Sequence, residues 1–183
     1  MSRRSADQTL DELLVLSCTD GNERAFAELH GRWQARLRAH AALLLGRTLR
    51  DRVDDVCQEA WLAIAHGVRE LREPQRFRAW AYSIVTRRVA DLRRALGRDE
   101  RAVDELRHAQ ATPEVAPAEQ GEPLRDALQT LPSEDRALLR LFYLDELSVA
   151  ETAAALAIPA GTVKSRLFHA RRRLRQALQR RPS

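Results

Sequence analysis

Lys164, Ser165, Phe168, His169 and Arg172 recur at spacings of one, three and four along a run that reads as a helix, so they share one side of it. Two cations, a hydroxyl, an imidazole and an aromatic ring are poor packing material. They suit phosphate oxygens and the base edges of a major groove. Val163, Leu167, Ala170, Leu174 and Leu178 keep to another side and are predicted to face inward. No Asp or Glu follows Glu151, whereas Lys164, Arg166, Arg171, Arg172, Arg173, Arg175, Arg180 and Arg181 do. The end of the chain is therefore strongly cationic, as contact with nucleic acid requires.

A second, shorter helix must position this one. Ser148 can cap it, and Glu151 three residues later completes a reciprocal capping box. Ala150, Ala153, Ala154 and Leu156 offer a small apolar face for a close-packed partner helix. Pro159 stops the helical run and a new helix begins near Ala160 to Thr162, giving a helix-turn-helix. Residues 131–178 closely resemble the C-terminal DNA-binding domain of bacterial RNA polymerase sigma factors, the small extracytoplasmic-function (ECF) group being the nearest match. Gly161-Thr162-Val163-Lys164-Ser165-Arg166-Leu167 is the signature. The resemblance implies that Thr162, Lys164, Ser165, Arg166, Phe168, His169, Arg172 and Arg173 meet the minus-thirty-five promoter element. Ala157 stands where such motifs usually carry Gly, and a residue with a Cβ resists positive φ. His169 stands where Arg is frequent.

The bulk properties agree with a nucleic-acid partner. The chain has 183 residues, room for one domain or two small ones. Charged residues make up 31% and aromatics 5%, a balance of helical surfaces rather than strands. The net charge of +5 favours a polyanion. Cys18 and Cys57 lie far apart and form no CxxC pair, which argues against a disulfide framework or a zinc site. Cys57 reads as a small buried hydrophobe. No N-terminal apolar run and no stretch of about 18 apolar residues occurs, so the expectation is a cytoplasmic protein without membrane insertion.

Read in order, residues 1–7 are predicted to be disordered. A short helix covers 9–17, Asp20-Gly21 breaks it, and Asn22 can cap a helix that runs from Glu23 to about Leu45. A third, about 50–66, has Val53, Val56, Cys57, Ala60, Trp61 and Ile64 as its core stripe. Its other side carries Asp54, Asp55, Gln58, Glu59 and Leu62, an acidic and amide stripe ending in an apolar residue. Such a stripe suits a cationic protein surface. Residues 54–64 resemble the sigma-factor segment that docks on the clamp helices of the largest polymerase subunit, which implies polymerase binding by those five residues.

The fourth helix, about 76–96, has Phe77, Trp80, Ala81, Ile84, Val85 and Leu92 as its core stripe and an Arg-rich surface. Residues 77–94 are similar to the sigma-factor segment that opens and reads the minus-ten element. The resemblance implies DNA contacts by Arg76, Trp80, Tyr82, Arg87, Arg88 and Arg94, with the loop 67–75 capturing a flipped base. Cations along a strand and rings for unstacked bases are what an unwound strand needs. Trp80 shares the Phe77–Ile84 face and is expected to be mainly core.

Residues 97–123 change character, being acidic and broken by Pro113, Pro117, Gly121 and Pro123; helix is expected to about His108 and linker beyond it. No Gly-rich phosphate loop, HExxH or Ser-His-Asp arrangement is present, and Asp54-Asp55 and Asp145-Glu146 are expected on surface helices or turns. The expected architecture is all-α: two small helical domains joined by a flexible acidic linker. The first, 8–96, resembles sigma region 2; the linker is 97–123; the second, 124–181, resembles sigma region 4. The implied function is promoter recognition, melting and transcription initiation, with no enzymatic activity and no cofactor or metal. The implied partners are core RNA polymerase (clamp helices and flap), promoter DNA and an anti-sigma factor. Two rivals remain: a dimeric helix-turn-helix repressor or activator, and a helical adaptor that binds proteins alone. The first leaves the acidic stripe unexplained, the second the cationic tail.

Overall fold

The computed structural model describes residues 3–103 and 123–179, and all the regular elements among them are helical. They are α1 (Arg3–Thr19), α2 (Glu23–Leu45), α3 (Val53–Gly67), α4 (Phe77–Val103), α5 (Pro123–Gln129), α6 (Ser133–Leu139), α7 (Val149–Leu156) and α8 (Ala160–Gln179). The linker residues 104–122 and the cations Arg180 and Arg181 lie outside the described residues. Helix α4 continues through Val103, in keeping with the extension expected there.

Helix α1 begins at Arg3, not after Asp7 as the sequence suggested. Arg32 of α2 pairs with Asp7 at 3.3 Å and with the buried Asp11 at 2.9 Å, and so fastens the early turns of α1 to α2. Asn22 caps α2 as expected, its side chain accepting from the backbone N–H groups of Arg24 and Ala25 at 3.0 and 3.2 Å.

Helices α2, α3 and α4 pack around Trp33, which is fully buried and stands edge-on to Phe77 at 5.4 Å and Tyr82 at 5.7 Å. Leu29, Leu37, Ile64 and Val85 close the space around it. Truncating Trp33 to Ala removes the centre of this core, a loss of about 3–5 kcal/mol. The α3 stripe is buried as read, except that Cys57 is half-buried at the rim. Trp80 is half-buried, and its indole lies across the end of α3. A Cβ added at Gly67 would sit 2.8 Å from Trp80 Cζ2.

In the second half, Leu131, Leu138, Leu139, Val163, Leu167 and Ala170 form the core under α8. Helix α6 runs on into a π-helical turn, Arg140–Leu144. The capping box of α7 is complete. Glu151 N–H donates to Ser148 Oγ at 3.2 Å, and Ser148 N–H donates to Glu151 Oε2 at 2.8 Å. Ala157 takes φ 54° and ψ 42°, and Ile158 N–H donates to the Ala153 carbonyl at 3.1 Å. This is a Schellman ending built without glycine, at a strain of roughly 1 kcal/mol.

Two expectations about faces need correction. Leu178 is exposed, because the last turns of α8 run past the body of the domain. On α7 the buried residues are Thr152 and Ala155, while Ala150 and Ala154 are exposed. The reason is that α7 packs against α4 of the first domain as well as against α8. Ala137, Leu141, Leu147 and Ala155 continue the core built around Trp33.

Candidate nucleic-acid and protein interfaces

Helix α8 separates its faces as the spacing demands. Val163, Leu167 and Ala170 are buried, and Lys164, Ser165, Phe168, His169 and Arg172 are exposed. The Phe168 ring is 61% exposed, a large apolar surface left for a partner, and stands edge-on to His169 at 5.4 Å. Lys164 and Arg172 have no ion-pair partner among the described residues, so both charges are available to phosphate. The other cations of the expected set are held. Arg173 donates to Asp135 of α6 at 2.6 Å and Arg166 to Glu134 at 3.4 Å. Thr162 is half-buried at the helix start, and its carbonyl accepts from Ser165 Oγ at 3.1 Å.

The acidic stripe on α3 is exposed along its length, and Leu62 at its end is 56% exposed. Its carboxylates have neighbours of opposite charge. Arg38 of α2 donates to both oxygens of Asp54, at 2.9 and 3.3 Å. Arg52 reaches Asp55 at 3.8 Å and Arg88 of α4 reaches Glu59 at 4.0 Å. Beside the stripe runs an open groove of about 450 Å³ whose far wall is α2: Phe26, His30, Gln34 and Arg38. Its floor is Trp61, with His30 stacked obliquely on that ring at 4.3 Å. Cys57 also lines it, and burial pushes that thiol up from its ordinary range. The α2 wall was not read from the sequence, although the interval of four between its members was there to see.

On α4 the structure divides the six residues expected to meet the minus-ten element. Arg76, Trp80, Arg87 and Arg94 recur on one side, Arg76 just ahead of the helix; their cations are exposed. Arg76 pairs with Glu73 at 2.8 Å and Arg94 with Asp91. Arg88 leans toward α3. Tyr82 faces away from that stripe and is fully buried between Trp33, His40 and the second domain.

This geometry can be set beside known proteins. The family Sigma-70 region 2 matches residues 29–99, and Sigma-70, region 4 matches residues 121–174. The ECF RNA polymerase sigma factor SigM of Mycobacterium tuberculosis is 32% identical over 92% of this chain and 84% of its own length. The chain belongs to the ECF sigma factors of RNA polymerase. The ECF RNA polymerase sigma-E factor of Haemophilus influenzae is 28% identical over 95% of this chain and 98% of its own length. Among solved structures, CnrH in complex with the cytosolic domain of CnrY is 26% identical with a TM-score of 0.61. That match covers 93% of this chain and 97% of the other. The sigma factor is thus a non-enzymatic initiation factor that acts with RNA polymerase in promoter recognition. Among the described residues no helix is long and apolar enough to cross a membrane.

The sigma factor also holds a polar network that its sequence did not announce, at the boundary of its two domains. Asp145, expected on a surface turn, is buried and pairs with Arg140 at 3.3 Å. It sits there because the π-helical turn and the positive φ of Glu146, 56°, fold the chain back beneath α4. The Asp145 carbonyl accepts from the Arg78 guanidinium. The Thr86 hydroxyl donates to the Ala155 carbonyl at 2.7 Å, which leaves its lone pair to accept from His40 Nε2–H at 3.1 Å. That fixes the neutral tautomer of His40, with Nδ1 buried and without a partner. Burial first, and the Arg140 charge second, lower the His40 pKa to about 3. Burial, then the Asp145 carboxylate, holds the Tyr82 phenol far above its ordinary range.

Proposed function

We propose that this sigma factor divides its work between two faces of opposite charge. The first domain, 8–96, docks on the polymerase clamp helices through Asp54, Asp55, Gln58, Glu59 and Leu62, with the α2 groove taking part of the same partner. Arg76, Trp80, Arg87, Arg88 and Arg94 then follow the strand unwound at the minus-ten element; Tyr82, expected beside them, is packed in the core on Trp33 and His40 and is not on that face. The second domain, 124–181, lays α8 in the major groove of the minus-thirty-five element and meets the polymerase flap.

Lys164, Ser165, Phe168, His169 and Arg172 are the base and phosphate contacts. Thr162, Arg166 and Arg173 act at the edge of that face, the two arginines partly neutralised by α6. Residues 97–123 serve as the tether, so that two modest sites reinforce each other through effective concentration. RNA polymerase places this work in the cytoplasm. CnrH, solved with the cytosolic domain of CnrY, supports a protein partner for this chain as well, in the place expected of an anti-sigma factor.

The observation that carries the reading is the free cationic and aromatic face of α8 on a capped helix-turn-helix. The experiment is run-off transcription with purified core polymerase on genomic fragments. Discrete start sites that require the chain are the expected result. Unselected initiation, or none, rejects the reading.

A further inference from the structure

His169 is exposed on the outer face of α8, beside Phe168 and one helical turn from both Ser165 and Arg172. Its ring is edge-on to Phe168 at 5.4 Å, and neither ring nitrogen has a hydrogen-bond partner among the described residues. The other described histidines are held in other ways. His40 is buried, His30 lies against Trp61, and His66 Nδ1–H donates to the Leu62 carbonyl at 2.7 Å. The cations that share α8 with His169 at short spacing are Lys164, Arg166, Arg172 and Arg173. The acids on the elements packed against α8 are Asp126 of α5, Glu134 and Asp135 of α6 and Glu151 of α7. Arg166 and Arg173 hold Glu134 and Asp135, the capping box holds Glu151, and Asp126 is engaged as well. Arg136 of α6 buries its Nε. The imidazole is left to whatever meets this face.

Its chemistry differs from that of the cations beside it in one respect. A lysine or arginine on a surface stays charged near neutral pH, whereas an imidazole changes charge between about pH 5 and 8. That change alters what the ring can read. The neutral ring has one N–H and one lone pair; the charged ring has two donors and no acceptor. In the major groove guanine presents two acceptors, N7 and O6, while adenine and cytosine each present an amino donor. The charged ring therefore selects guanine and keeps its second N–H for a phosphate. The neutral ring loses that selectivity, because its lone pair also accepts from an amino group. Phosphate oxygens a few ångströms away favour the charged form.

We propose that His169 couples recognition of the minus-thirty-five element to a proton: it reads a guanine as the charged imidazolium, and binding takes that proton up. This rests on the placement of α8 in the major groove proposed above. One proton taken up on binding changes affinity by about tenfold per pH unit wherever the free side chain is neutral. Promoter binding then weakens as pH rises, and discrimination at the guanine weakens with it.

The test uses the holoenzyme, this chain with core polymerase, on a promoter fragment that it selects in run-off transcription. Equilibrium binding is measured at about pH 6 and about pH 8 for the parent, His169→Arg and His169→Gln. Dividing each affinity by that of His169→Arg removes the response of the polymerase itself to pH. The parent ratio is expected to fall about tenfold between the two conditions, and the His169→Gln ratio to stay constant. Each guanine of the minus-thirty-five element is then replaced by adenine in turn, and one of these replacements is expected to abolish the pH response of the parent. An equal parent ratio at both pH values overturns the proton coupling. So does a response that survives the replacement of every guanine. If the parent holoenzyme selects no promoter at either pH, the placement of α8 fails and the coupling falls with it; a selective holoenzyme without a pH response removes the coupling alone.

Discussion

The acidic face of α3 and the basic face of α8 carry opposite charge, yet they differ more in how that charge is held. On α3, Asp54, Asp55 and Glu59 each lie within 4.0 Å of an arginine: Arg38 of α2, Arg52 just ahead of α3, and Arg88 of α4. On α8 the central cations, Lys164 and Arg172, have no partner among the described residues, and only the flanking Arg166 and Arg173 are tied to α6. A face whose charges are already met attracts little at long range and must recognise by fit. The groove beside it, with Trp61 at its base and Leu62 at its lip, supplies that shape. A face with free cations gains affinity from released counterions and is sensitive to salt.

The largest expected effect is on the paired face. Asp55→Arg with Glu59→Arg should set like charges against Arg52 and Arg88 as well as against the partner. Core polymerase binding should fall about 100-fold, near 2.7 kcal/mol, with duplex binding retained. Equilibrium binding to core polymerase measures it, and retention of affinity would remove the stripe from the docking surface. Next in size is the free face. Lys164→Ala with Arg172→Ala should weaken binding to minus-thirty-five duplex by more than tenfold and lower the salt slope by roughly 2, one for each lost phosphate contact. A salt titration checks this. An unchanged slope would mean that these cations do not meet phosphate.

The boundary between the two faces predicts a pH dependence. His40 is neutral in the fold, with a pKa lowered to about 3 from 6.5 by burial first and the Arg140 charge second. Its surroundings are Thr86 and Tyr82 from α4, Arg140 from the π-helical turn and the Asp145 carboxylate beside that arginine. Because the depressed value belongs to a base, the folded state loses stability as pH falls below about 6.5. The loss reaches about 2 kcal/mol at pH 5 and levels off below about pH 3. Denaturant unfolding at pH 7 and pH 5 should show it, and His40→Leu should flatten the difference. Equal stability of the parent at both pH values would mean that His40 is hydrated.

The smallest effect concerns the turn that aims α8. Ala157→Gly should relieve the positive φ and stabilise the chain by about 1 kcal/mol, read as a higher denaturation midpoint. No gain would show that the alanine turn is unstrained.

What the sequence made legible follows from periodicity and local chemistry. The helices, the Asn22 cap, the Ser148–Glu151 box, the inward face of α8 and the exposed stripe of α3 each depend on residues within one or two turns of each other. The domain boundary does not. Tyr82 read as a strand contact and Asp145 as a surface turn, and Thr86 carried no signal at all, because their partners lie on elements some 46 to 69 positions away. Ala150 and Ala154 were placed on the packing face of α7 and Ala155 was passed over, because only the position of α4 decides which alanines are buried. Arg166 and Arg173 share a composition with Lys164 and Arg172; only the placement of Glu134 and Asp135 on α6 separates the two pairs.

The indole that overlies the end of α3 sets a rule for redesign. Gly67 has an ordinary helical backbone, so its side chain is excluded by a neighbour and not by its own torsions. The Trp80 indole fills the space that a Cβ at this position would need. A larger residue at Gly67 would have to be matched by a smaller one at Trp80, and the two positions should be exchanged only as a pair.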